Sequence, residues 1–278
     1  MVSIKQELRK HGFFPNKKLG QHFLVDADVL DKVISAARIG REDVVLEVGP
    51  GLGDMTVALA RQVKKVIAIE IDERFIAILK QKSENYHNIE LIRSDVLKLD
   101  FKRLLGREAT PIKVVSNLPY QITTPLLFRF IESKEAFSSL TLMLQKEVAD
   151  RLTASPGRKE YGPLSIFIQI FSDVSIRFTI KPSAFFPPPK VESALVHMTW
   201  KEQPMIDAEE QEWFKKVVKA CFGYRRKTVI NSIKHSELCS PPAVESRMEK
   251  IGIDPRRRPE TLSIQELARL AEALKKET

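Results

Sequence analysis

Between Val44 and Trp200, short β-branched runs alternate with segments of helical period. "VVLEVG", "KVIAIEID", "IELIRSD" and "VVSNLP" read as buried parallel strands, rich in β-branched and other apolar residues. Each is followed by a stretch able to form a crossover helix. "SLTLMLQ" predicts a fifth strand, and "VSIRFTI" and "SALVHMTW" two later ones. Repeated strand-and-helix alternation predicts a doubly wound α/β sheet.

Past "KEQPMID" the strand pattern stops. Segments near 208–222, 225–235, 241–251 and 263–276 have helical character, and Ser263 with Glu266 forms a capping-box signature ahead of "LARLAEALKK". The expected organisation is an α/β domain over residues 1–202 and a small helical domain over 203–278. A chain of 278 residues also exceeds the usual size of a single domain.

Charge then narrows the class of partner. A formal net charge of +9 favours a polyanion, because neutralised phosphates release counterions, although a merely basic enzyme shares that charge. Lys215, Lys216, Lys219, Arg225, Arg226, Lys227 and Lys234 follow one another with no acid between them, a run that fits phosphate binding on helices. Arg256, Arg257 and Arg258 form a second cluster, and Lys17, Lys18 and Arg151 are candidates to flank a pocket mouth.

Cys221 and Cys239 are too few for a disulfide framework and fit a reducing compartment. His235 and Cys239 stand four apart with no further Cys or His nearby, so no metal site is expected. The amino end lacks the apolar stretch of a secretory signal, and no run approaches the ~20 apolar residues of a membrane span. A soluble, cytoplasmic protein without membrane contact is the expectation.

The chemistry sits at the strand ends. "LEVGPGLGDMT" puts Gly49, Gly51 and Gly53 between a strand and a helix, where backbone can approach a ligand closely. Glu70 ends the second strand, where a carboxylate can accept both hydroxyls of a ribose, and Asp95 closes the third. A dinucleotide enzyme shares the loop and the first acid, and a tight turn alone explains a glycine pattern. Four successive strands ending in Gly49, Glu70, Asp95 and Asn117 nevertheless converge on one crevice at the carboxyl edge of the sheet. At the last of them, "NLPY", a turn explains Asn117 and Pro119 but asks for no Tyr120.

This series resembles the S-adenosylmethionine-dependent methyltransferase fold, and "NLPY" is similar to the tetrapeptide of enzymes that methylate an exocyclic amine on a base. The resemblance implies that the Asn117 side-chain oxygen and the Leu118 carbonyl accept the two amine hydrogens. Pro119 stiffens the turn, and Tyr120 stacks on a base flipped into the pocket. "AFFPPPKVESALV" is similar to the F-x-P-x-P-x-V segment of ribosomal RNA adenine dimethyltransferases, matching at Phe185, Pro187, Pro189 and Val191. Phe185 is the expected second ring, with Phe186 beside it as the core alternative. "KKLGQHFLVD" is similar to the K-x-x-G-Q-N-F-L segment that closes over the cofactor; Gln21 and Leu24 match, and His22 stands where that family commonly has Asn.

With "LMLQKEVADRL", "RRKTVINSI" and "RRRPETLSIQEL" added, the resemblance covers nearly the whole chain and is to the KsgA-type small-subunit ribosomal RNA adenine dimethyltransferases. It implies a Rossmann-like class I domain with a seven-stranded, mostly parallel sheet, and S-adenosylmethionine held by Gln21, His22, Leu24, Gly49, Gly51, Glu70, Asp95 and Asn117. Asn117, Leu118, Pro119, Tyr120 and Phe185 form the implied catalytic set. Lys17, Lys18, Arg151, Lys215, Lys219, Arg225, Arg226 and Lys227 are the expected RNA contacts of a protein that is monomeric by default. Glu147 has no role in such a mechanism and reads as structural. The implied reaction is transfer of two methyl groups to N6 of each of two adjacent adenosines near the 3′ end of small-subunit (16S) RNA, in late subunit biogenesis. Two alternatives stay open. One is a large-subunit (23S) enzyme of the macrolide-resistance type, where "NIPY" or "NIPF" is common. The other is a catalytically idle assembly or transcription factor on the same fold, against which the presence of Glu70, Asp95, Asn117 and Tyr120 argues.

Overall fold

The computed structural model describes residues 21–275 apart from 107, 109, 225, 237, 239 and 240. By compactness the chain divides into two units, one running up to Ala149 and resuming over Val174–Trp200, the other comprising Asp150–Asp173 and the chain from Lys201 onward.

The first unit is built on the predicted sheet. Strands β2 (Val44–Val48), β3 (Lys65–Glu70), β4 (Ile89–Arg93), β5 (Ile112–Asn117) and β6 (Phe137–Gln145) are parallel to their neighbours, and β9 (Ser193–Trp200) lies antiparallel to β6. β7 (Ser172–Ile180) forms the outer edge, giving the order β4-β3-β2-β5-β6-β9-β7. All five residues of β2 are buried, as expected of a strand covered on both faces. β3 and β5 flank it on opposite sides, so the strand order reverses there and a crevice opens beyond the carboxyl ends of β2 and β5.

Helices α1 (Ala27–Ala36), α2 (Asp54–Ala60), α3 (Glu73–Ser83), α4 (Phe101–Leu105) and α5 (Thr123–Glu132) follow from local chemistry. Asp26, Asp72 and Asp100 cap α1, α3 and α4 by accepting backbone N–H groups of their first turns. Val33 of α1 and Leu59 of α2 join Val45, Val66, Ala68, Val115 and Met143 of the sheet in one buried cluster. A pairing that the strand pattern did not reveal adds a second, two-stranded sheet: β1 (Phe23–Leu24) runs antiparallel to β8 (Phe185–Phe186), with Phe23 opposite Phe186 and Leu24 opposite Phe185.

The second unit contains α7 (Pro163–Gln169), α8 (Gln211–Cys221), α9 (Val229–Ile233), α10 (Pro241–Lys250) and α11 (Ile264–Ala273), while its boundary falls inside α6 (Lys146–Thr153). The capping box forms: Ser263 Oγ accepts from the Glu266 N–H at 3.1 Å, and the Glu266 carboxylate accepts from the Ser263 N–H at 2.8 Å. Residues 150–173, which the strand-and-helix pattern places in the α/β domain, group with the tail. The Gly157 N–H donates to the Glu260 carbonyl at 2.7 Å, the Lys201 N–H donates to the Phe171 carbonyl at 2.9 Å, and the Tyr161 ring meets Phe222 edge-on. Arg257 forks onto Glu266 and reaches the Thr261 carbonyl, so one member of the second basic cluster is a structural strut.

Candidate active site

Gly51 and Gly53 fold the loop after β2 with φ of 56° and 83°, in the left-handed region that favours glycine. A Cβ on Gly51 lies 2.9 Å from the Phe23 ring, and one on Gly53 lies 2.5 Å from Leu79 Cδ2. The loop is thus pressed against the β1 segment on one side and α3 on the other. Gly51→Ala combines a strained φ with a clash against a ring anchored on Phe75, whose centroid is 5.5 Å away. Its expected effect is a loss of ~1–3 kcal/mol of stability together with at least a tenfold loss of cofactor affinity. Thermal melts and a calorimetric titration check it, and unchanged affinity in a folded variant contradicts the cradle.

Glu70 ends β3 and is 6% exposed. Its Oε1 accepts the N–H groups of Ile71 and Asp72 at 2.8 and 2.9 Å, and its Oε2 accepts that of Gly51 at 3.2 Å. Burial pushes its pKa above the ordinary carboxylate value, and the three N–H donors pull it back in part. Asp95 caps the turn after β4 by accepting the Leu97 N–H at 3.0 Å. Gln21 reaches the Asp72 carboxylate at the head of α3.

At the end of β5, Asn117 Nδ2 donates to the His22 carbonyl at 2.9 Å. A backbone carbonyl only accepts, so this bond fixes which side of the amide carries the hydrogens and leaves Oδ1 as the acceptor. Leu118 lines the cavity while almost wholly buried, and its N–H donates to the Met143 carbonyl at 3.1 Å. The Pro119 carbonyl is occupied by the Ile122 N–H and the Thr123 hydroxyl, both at 3.1 Å, which locks the turn. Tyr120 is held by its hydroxyl, 2.6 Å from Ser193 Oγ, and burial raises its pKa against the opposing effect of that serine. The His22 ring lies 5.4 Å from the Tyr120 ring, tilted by 31°. His22 Nδ1 stands 2.7 Å from the Pro187 carbonyl, and since that oxygen cannot donate, Nδ1 carries a hydrogen.

One cavity gathers Gln21, His22, Leu24, Gly49, Gly51, Glu70, Asp95, Asn117, Leu118, Pro119 and Tyr120. Phe185, expected as a second stacking ring, is the exception. It is 3% exposed and packs with Val33, Ile180, Ala184 and Leu195 in the core, opposite Leu24 in the two-stranded sheet. Its neighbour Phe186 faces the other way, onto Leu52, Phe75 and Leu79, and is only half-buried. Phe185→Ala is therefore expected to cost ~3–5 kcal/mol of folding stability, read as a lower denaturant midpoint. An unchanged midpoint with impaired RNA methylation restores the stacking role.

The cavity also takes in residues to which the strand-end pattern gave no role. Phe75 and Met143 line it, but apolar residues at core spacing carry no sequence signal of a site. Glu47 does: an acid within a strand buried on both faces is conspicuous. It is 0% exposed, lines the cavity, and has no hydrogen-bond partner at either carboxylate oxygen. Burial is the main cause that pushes its pKa up to about 8. The Thr56 hydroxyl acts in the opposite sense, without forming a hydrogen bond of normal geometry.

Of the expected RNA contacts, Lys17, Lys18 and Arg225 lie outside the described residues. Arg151 is half-buried in α6, while Lys219 on α8 and Arg226 and Lys227 in the following loop are exposed. Lys215 is paired with Glu212 at 2.7 Å. Glu147 is exposed on α6 and does not line the cavity.

Residues 12–276 match the family described as ribosomal RNA adenine dimethylase. A ribosomal RNA small subunit methyltransferase A from Shouchella clausii is 42% identical over 272 residues, covering 96% of this chain and 92% of its own length. Its namesake from Clostridium acetobutylicum is 40% identical, covering 98% of each chain. Among solved structures, a dimethyladenosine transferase from Plasmodium falciparum matches with a TM-score of 0.75 at 30% identity, over 90% of this chain and 96% of that one. The 23S rRNA methyltransferase ErmE matches in fold, with a TM-score of 0.71 at 24% identity over 91% of this chain and 99% of that one. By its family match, and by identities of 40% or more sustained along almost its full length, the chain belongs to the ribosomal RNA adenine dimethylase family.

Proposed function

We propose that the protein dimethylates N6 of two adjacent adenosines near the 3′ end of 16S ribosomal RNA, using S-adenosylmethionine, during late assembly of the small subunit. The observation that carries this reading is the fixed orientation of Asn117, whose donor side is held by the His22 carbonyl and whose acceptor side remains for a substrate amine. The relatives at 40–42% identity, both small subunit methyltransferases by name, favour the small subunit as substrate.

The residues present fit the cofactor. Gly51 leaves no room for a side chain, Glu70 and Asp95 offer acceptors for hydroxyl and amine hydrogens, and Glu47 offers a carboxyl without a partner. Gly49, Gly51, Glu70 and Asp95, with Gln21, His22 and Leu24, would hold it, all of them lining the one cavity. S-adenosylmethionine supplies an electrophilic methyl group on sulfur.

The chain's own part is positioning. An adenine amine is a poor nucleophile because its lone pair is delocalised into the ring. Asn117 Oδ1 and the Leu118 carbonyl accept its two hydrogens and favour the pyramidal, nucleophilic form. Tyr120 stacks on the flipped base, its ring angle set by the bond to Ser193. No strong base is needed, since the amine sheds its proton after attacking. After one transfer the amine keeps a single hydrogen, so one acceptor suffices to hold it for the second. The chain's contribution to rate would be mainly orientation, with Asn117 and Tyr120 holding the amine toward the methyl donor.

The exposed Lys219, Arg226 and Lys227 of the helical unit would bind RNA phosphates, which position the substrate without reading its sequence. Lys215, already neutralised by Glu212, contributes less. The protein acts as a monomer in the cytoplasm on this reading. No described helix is long and apolar enough to cross a membrane. The test is incorporation of labelled methyl into small subunits lacking the modification, with large-subunit RNA in parallel. Dimethyladenosine in the small subunit alone supports the proposal. Labelling of large-subunit RNA, or of neither while the cofactor still binds, overturns it in favour of a 23S enzyme or an idle assembly factor.

A further inference from the structure

We infer that Glu47 is a cofactor-binding residue that is neutral in the free protein and becomes the counter-charge of a cationic group of the bound cofactor, releasing a proton on binding. The inference rests on the S-adenosylmethionine reading of the cavity. Glu47 lies on β2, two residues before Gly49, fully buried yet part of the cavity wall. A carboxyl kept for structure is normally satisfied by hydrogen bonds, whereas neither oxygen of Glu47 has a partner. An unpartnered buried acid persists where a ligand completes it.

Among the described residues, no cation acts on it directly. The charged groups acting on it are Glu70 from β3 and Asp54 from the start of α2, both acids, and Asp54 is itself paired with Lys82 at 2.9 Å. Thr56 of α2 contributes a neutral hydroxyl. Among the described residues, the remaining titratable groups of the cavity wall are His22, Asp95 and Tyr120. In such a setting the free carboxyl stays protonated at neutral pH, in line with its elevated pKa. S-adenosylmethionine brings two positive centres, a sulfonium and an ammonium. A positive charge delivered into a water-poor site favours the ionised acid, so the ligand expels the proton.

The sign of the pH effect follows. A group that ionises on binding makes affinity rise with pH, about tenfold per unit below the free-state pKa, and level off above about 8. S-Adenosylhomocysteine keeps the ammonium and lacks the sulfonium, so the two ligands separate the two sources of charge.

Calorimetric titration at pH 6.5 in buffers of different ionisation enthalpy counts the protons, at a pH where the ligand's own amino group is already protonated. Wild-type protein is expected to release close to one proton per S-adenosylmethionine bound, and Glu47→Gln, checked for folding by circular dichroism, to release none. Equal release with S-adenosylhomocysteine assigns the ammonium, and release with S-adenosylmethionine alone assigns the sulfonium. Binding without proton release in the wild type, or unchanged release in Glu47→Gln, overturns the role of Glu47 and leaves the cofactor reading intact. Absence of binding at any pH overturns both. Should Glu47→Gln not fold, wild-type affinity that stays flat between pH 6 and 7.5 is the overturning result.

Discussion

Asn117→Ala is expected to lower kcat for methyl transfer by about a thousandfold, the scale seen when a preorganised group that polarises a reacting atom is removed. The substitution deletes the acceptor that draws on one amine hydrogen, and it also frees the His22 carbonyl from its 2.9 Å bond. Cofactor affinity should move by only a few-fold, because Gly51, Glu70 and Asp95 remain in place. Asn117→Asp separates the two effects: it keeps an acceptor for the amine but sets a carboxylate oxygen against the His22 carbonyl, which cannot donate. It should therefore retain some turnover while loosening the segment around His22, so that affinity for the cofactor suffers more than in the Ala variant. Single-turnover methylation alongside calorimetric titration distinguishes them. An Ala variant within tenfold of wild type would remove Asn117 from the chemistry.

The strand ends were legible because they depend on local pattern alone. An apolar run that stops on Glu70, Asp95 or Asn117 marks the carboxyl edge of a parallel sheet wherever that sheet sits, and the cavity collects all three. The capping box at Ser263 was legible for the same reason, since its partners are three residues apart. Phe185 and Phe186 show where such reading ends. Neighbouring residues of a strand point to opposite faces, so the choice between them depends on register, and the register here is set by Leu24 and Phe23, far away in sequence. Pairings of two residues leave no periodicity to find. Residues 150–173 likewise follow tertiary hydrogen bonds to Glu260 and Lys201 that no local window contains. The contact between His22 and Tyr120, and the isolation of Glu47, also exist only once distant strands have met.

Glu70→Ala is expected to abolish measurable cofactor binding, a loss of at least about a hundredfold, and to lower stability by ~2–4 kcal/mol. Two separate losses combine. The ribose loses an ionised acceptor, and hydrogen bonds to charged groups are worth ~1.5–3 kcal/mol each, enough for the affinity change alone. The N–H groups of Gly51, Ile71 and Asp72 also lose their common acceptor in a buried corner, which accounts for the stability change and lets the glycine loop drift from β3. Glu70→Gln tells the two apart. Its amide keeps one oxygen acceptor but turns an NH2 toward at least one of those three donors, so it should recover part of the stability while still failing to accept two hydroxyls at once. Chemical denaturation with and without S-adenosylmethionine gives both numbers from one preparation: the ligand raises the wild-type midpoint by mass action and should leave both variants where they stand. A ligand-induced rise in Glu70→Gln equal to that of the wild type would reduce Glu70 to a structural tether of the loop, and the ribose would then have to find its acceptors among the remaining acids of the cavity, Asp95 first.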